Sequence, residues 1–268
     1  MSLHDAYARV TPVELLFPEE ERAERLGERI AEEAAGRGAD PTDLAAFLTM
    51  GAAAEFIGEL AASEDELSAR YGPAAYHAHH FLAQGNSLYL LHAAALRYLI
   101  GGAPTAPAEG FAPPTRAAYV QLPRHLVWVR GEDDAPASVD GVFWTVGARG
   151  GLHVLVATGV RGDGSGFDVL PLPEAPLADL PAWLAVDGRG DGSDYTTSLP
   201  GAELDQLYEI RTAGEVLKLL ARVFAYLHDG GGSAPSTLMP AGVEGETLPD
   251  ATAPKPSRYP YIAITLTP

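Results

Sequence analysis

Residues 139–162 read VDGVFWTVGARGGLHVLVATGVRG. Two runs rich in β-branched and aromatic residues, Val142–Val146 and Leu152–Thr158, flank the turn sequence GARGG. This pattern predicts a β-hairpin. Adjacent residues of a strand point to opposite faces of the sheet, so Phe143 and Trp144 must enter different layers. One of the two belongs under a helix. The other is expected to be covered by a second helical layer.

The neighbouring segments extend the strand signal. RAAYVQLPRHLVWVRG (116–131) and GFDVLPLP (166–173) are again short apolar runs broken by Pro and Gly. Consecutive strands joined by short turns pair antiparallel, so the expected sheet is a meander rather than a set of βαβ units. A helix follows at about Ala213–His228, with Val216, Leu219, Leu220, Val223, Phe224 and Leu227 on one face. The final segment, YIAITLTP (261–268), alternates and predicts a last strand. Between them, residues 229–258 form a polar Pro/Gly-rich stretch that is expected to be a mobile loop.

Upstream the period changes to that of helices. PEEERAERLGERIAEEAAGRG (18–38) places Pro18 at a first helical position and carries a thin apolar stripe of Ala23, Leu26, Ile30 and Ala34. Glu21 with Arg25 and Arg29 with Glu33 have the spacing of ion pairs on its wet face. DPTDLAAFLTMGAAAEFIGELAAS (40–63) is capped by Asp40 and Asp43 and runs nearly all apolar, which predicts one central helix. A short helix is expected after Ser63, and two more at about 74–84 and 88–100, separated by Gly85-Asn86-Ser87. The expected fold is therefore α+β. Its parts are a helical region over 1–104, a Pro/Gly-rich connector over 105–116, and an antiparallel sheet carrying one long helix over 117–268.

Composition excludes several classes of activity. The 268-residue chain has no cysteine, which removes thiolate nucleophiles and Cys-based metal sites. The start of the sequence lacks a basic n-region and an apolar h-region, so a cytoplasmic location is the expectation, and no apolar run is long enough for a membrane span. Net charge is −18, with 16 acids against seven arginines up to residue 104 and 20 acids against 11 bases beyond. An even acidic balance of this kind disfavours direct nucleic-acid binding, which needs clustered Lys and Arg. It suits a protein partner, including a basic one.

The densest group of chemistry-bearing residues is YHAHHF (76–81), three of the chain's eight histidines. On a helix His77 and His80 share a face and His79 points elsewhere. Glu55 and Glu59 share a face of the preceding helix, so a zinc or iron site from His77, His80 and Glu55 or Glu59 is the candidate metal centre. H-E-x-x-H and paired E-x-x-H motifs are absent, so the competing expectation is a helix face packed on the protein with no cofactor. RGDGS occurs at 161–165 and 189–193 and predicts strand-connecting turns, since Arg189 and Ser198 break the calcium-loop template. Ser165 near His153 is a weak nucleophile–base pair, without a G-x-S-x-G elbow.

Three functions are compatible with these residues. A non-catalytic intracellular interaction or regulatory protein is the leading one, its contacts expected through 229–258 and the outer sheet face. A metal-dependent enzyme at the histidines and an acidic mimic that captures a basic or nucleic-acid-binding protein are the alternatives.

Overall fold

The computed structural model describes residues 7, 10–61, 70–101, 112–130, 136–160, 166–185, 208–210, 213–228, 237–238, 259 and 261–264. The expected hairpin is its centre. β4 (Pro136–Val146) pairs antiparallel with β5 (Gly151–Thr158), with Val146 opposite Leu152 and Thr145 opposite His153. Gly147–Gly150 make the turn, closed by Gly147 N–H donating to the Gly151 carbonyl at 2.8 Å, and Gly150 takes φ 75°, a value glycine adopts without strain. β6 (Asp168–Pro171) adds antiparallel to β5.

Beyond the hairpin the sheet is mixed, which corrects the expected meander. β1 (Leu88–Leu91), β2 (Ala117–Gln121), the short β9 (Thr237–Leu238) and β10 (Tyr261–Ile264) complete the order β6-β5-β4-β2-β1-β10-β9. β1 runs parallel to both β2 and β10. The first half of β4 also pairs with β3 (Val127–Arg130), which runs parallel to β8 (Tyr208–Ile210), and β7 (Ala175–Pro176) pairs with β5. Residues 88–91 were expected to be helical. Four apolar residues without a polar period cannot be assigned by pattern, and here flanking strands on both sides satisfy their backbone groups.

β1, β2 and β5 are buried on both faces, whereas β6 is largely exposed, with Leu170 at 43%. Val142, Trp144, Val154 and Val156 lie under α8 (Ala213–His228), α6 (Ala93–Gly101) and the short α7 (Leu180–Ala185). Trp144 meets Phe224 edge-on at 5.0 Å. Tyr119, Phe143, Leu155 and Ala157 lie under the N-terminal helices, as the opposed Phe143 and Trp144 require. Each large aromatic buried in this way contributes about 1.5–3 kcal/mol of transfer free energy.

The N-terminal layer comprises α1 (Pro12–Leu16), α2 (Glu20–Arg37), α3 (Leu44–Leu48), α4 (Gly51–Leu60) and α5 (Gly72–Ala83). Asp43 caps α3, accepting from Ala46 N–H at 3.0 Å, while Asp40 accepts from the Thr42 amide and hydroxyl. The helix expected to be continuous over 40–63 is two helices. Thr49 turns its hydroxyl back onto the Ala46 carbonyl, and Glu33 of α2 accepts from the Gly51 and Ala52 amides, capping α4 from outside. Those amide bonds hold the Glu33 carboxyl below its ordinary range. The expected Arg29–Glu33 pair is accordingly replaced by Arg29 with Glu55.

Candidate functional site

α5 is the innermost helix. Gly72 through Phe81 are all buried, because α1–α4 cover it on one side and the β2, β4 and β5 strands on the other. Asn86, with φ 59°, and Gly85 end it in left-handed conformations, as Gly85-Asn86-Ser87 predicts. The three histidines therefore have no wet face to occupy. His77 and His80 are each 3% exposed and His79 9%.

The structure places each imidazole against a definite partner. His77 Nδ1 lies 2.9 Å from the Thr145 hydroxyl on β4. His80 Nε2 donates to the Pro41 carbonyl at 2.9 Å, and His79 packs on Phe47, its ring centre 5.5 Å away. Burial pushes all three toward the neutral form: His77 far below its ordinary value, His79 to about 3 and His80 to about 4. The Pro41 bond and Asp40 hold His80 slightly higher than burial alone would.

Tyr76 ties this group together. Its hydroxyl donates to the Thr42 carbonyl at 2.8 Å, and its ring stands edge-on to His80, His77 and His153 at 4.6, 5.2 and 5.4 Å. His153 comes from β5, directly across the ladder from Thr145. Thr145 and His153 thus join the cluster, and neither was placed there by the sequence reading. The hairpin register held the signal, since closing GARGG with Val146 opposite Leu152 puts Thr145 and His153 on the face of Phe143.

Glu55 and Glu59 do not reach the histidines. They point outward from α4 and pair with Arg29 and Arg22 of α2. The set His77, His80, Glu55 and Glu59 is therefore not assembled, and among the described residues no group of three or more His, Asp or Glu side chains is arranged to hold a metal ion. Both RGDGS segments, Ser165 and most of 229–258 lie outside the described residues. No helix among those described is long and apolar enough to cross a membrane.

A cavity of about 390 Å³ opens beside this cluster, between the start of α3, the β4–β5 turn and the segment after β6. His153 reaches it from inside the protein. His153 is 9% exposed and makes no hydrogen bond among the described residues, and its unbonded nitrogen is not sealed in the core but open to the cavity. Burial lowers its pKa, opposed by the charges of Glu174 and Asp43. Gly147 is essential to this arrangement, because a Cβ there would stand 2.9 Å from His153 Nε2. Leu44, Leu48 and Leu172 supply apolar wall, and Leu48 is 37% exposed.

Comparisons with protein-family models, with curated proteins and with solved structures gave no match. The cavity and the buried histidines therefore carry the functional argument by themselves.

Proposed function

We propose that the protein acts by binding, as an intracellular regulatory protein whose small ligand enters the cavity beside His153. The observation that carries this is the largely buried His153, whose imidazole faces open volume without a hydrogen-bond partner among the described residues. An imidazole in that position presents one donor and one acceptor to whatever enters. The cavity is half open to solvent, and its wall divides between the leucines and the polar side chains of Thr42, Asp43, Arg149, His153 and Glu174.

The wall also explains how occupancy could be transmitted. His153 contacts Tyr76, and Tyr76 contacts His77 and His80, so a ligand on His153 touches the packing of α5 through one ring. A basic protein partner on the acidic surface remains part of this reading as its output. Side-chain NMR of the full chain tests it with a mixed set of small fragments. Shifts confined to His153 and to Leu44, Leu48 and Leu172 are expected. If every responding residue lay elsewhere, or none responded, the cavity would not be the functional site.

A further inference from the structure

The charges around the cavity decide which ligand class it takes. Asp43 and Arg149 both line it, but they neutralise each other through a 2.6 Å bond, and the other Asp43 oxygen is held by the α3 amide of Ala46. Glu174 is different. It is exposed, forms no ion pair among the described residues, and folds across Gly151 so closely that a Cβ there would lie 1.7 Å from its Oε1. Arg149 feels the charges of both Asp43 and Glu174, so the three side chains together leave a net charge of −1 beside the imidazole.

Resting on the cavity being the binding site, we propose that its ligand is an organic monocation: a primary or secondary ammonium on a short apolar body. The ammonium donates to the Glu174 carboxylate and to the unprotonated nitrogen of His153. The apolar body lies along Leu44, Leu48 and Leu172, covering the exposed part of Leu48. The ammonium supplies the positive charge that pairs Glu174, and its N–H groups supply a donor for the unprotonated nitrogen of His153. A carboxylate of the same shape would meet Glu174 as a like charge. The chain's net charge of −18 adds attraction for cations at long range.

Three probes of one shape separate the possibilities: hexylammonium, hexanol and hexanoate, titrated into the full chain with His153 and leucine side-chain resonances observed. Hexylammonium is expected to bind at least ten times more tightly than hexanol, and hexanoate more weakly than either. Glu174→Gln, which keeps the side chain's shape across Gly151, should remove most of the ammonium's advantage over the alcohol. Hexanoate binding as well as hexylammonium, or an ammonium affinity insensitive to Glu174→Gln, overturns the cation assignment while leaving the cavity a binding site. No response at His153 to any of the three overturns both.

Discussion

Acidification should destabilise this protein above the pH at which most of its carboxylates protonate, because the buried histidines take up protons when the chain opens. His79 and His80 are held at about 3 and about 4 in the fold and return to their ordinary value of 6.5 when unfolded. The unfolded chain then binds more protons, so stability is complete above pH 6.5 and falls as pH drops from 6.5 toward 4. At pH 5 each of the two costs about 2 kcal/mol, with a limiting slope of about 1.4 kcal/mol per pH unit per histidine. Together they remove about 4 kcal/mol, a large part of the 5–15 kcal/mol typical of a folded domain. His77, lowered further by burial, acts in the same direction.

The depressed carboxyls of Glu33, Asp40 and Asp43 add little to the loss at pH 5 and above. Their contribution is lost only as pH falls through folded values below the ordinary 4.5 or 3.8. Asp140, raised by burial, gains stability on acidification and so makes the observed loss smaller than the histidines alone would give. Urea titrations at pH 7.5, 6 and 5, followed by tryptophan fluorescence, measure the difference. His80→Gln keeps an amide donor for the Pro41 carbonyl and removes one titration, so its stability should fall less steeply, by about 1.4 kcal/mol per pH unit. A wild-type stability that changes by less than about 1 kcal/mol between pH 7.5 and 5 would refute the neutral buried cluster.

Three substitutions probe the packing around the hairpin. Tyr119 is fully buried with a hydroxyl that has no hydrogen-bond partner among the described residues. Tyr119→Phe should therefore stabilise the protein by about 1 kcal/mol in urea titrations, and a loss of that size would show that the hydroxyl is bonded. Gly141→Ala should destabilise it by several kcal/mol, on the order of severe overpacking, because the new Cβ would lie 2.6 Å from the Val120 carbonyl and 2.3 Å from the Tyr119 ring; a thermal midpoint within a few degrees of wild type would contradict this. Gly147→Ala places a methyl against His153 Nε2 and the Thr42 carbonyl, so it should weaken fragment binding at the cavity while leaving the far-ultraviolet spectrum unchanged. Undiminished binding would place the fragments away from that edge of the imidazole.

The elements legible in the sequence are those whose environment follows from their own period. β4 and β5 alternate around a glycine turn, and α8 carries one apolar stripe, so pattern and packing agree and α8 spans the expected Ala213–His228. What was illegible depended on partners distant in sequence. β1 is a strand because β2 and β10 flank it, and α3 and α4 are separate helices in part because Glu33, 18 residues before Gly51, takes the amide bonds at the start of the second. No local propensity encodes either fact.

The site shows the same division more sharply. His77 and His80 both contact Tyr76, but His79 is not set apart from them: its ring meets that of His80 at 4.9 Å as well as Phe47 at 5.5 Å. Glu55 and Glu59 share a face of the neighbouring helix, as their spacing predicts, but that face is turned away from the histidines. An unpaired buried carboxylate is far more costly than an exposed one, and two arginines on α2 stood at the right height to meet them outside. Imidazoles face no such penalty, because they enter the core simply by giving up a proton. That asymmetry separates His77, His79 and His80 from Glu55 and Glu59, and it leaves His153, the one imidazole of the group lining the cavity, where a ligand can reach it.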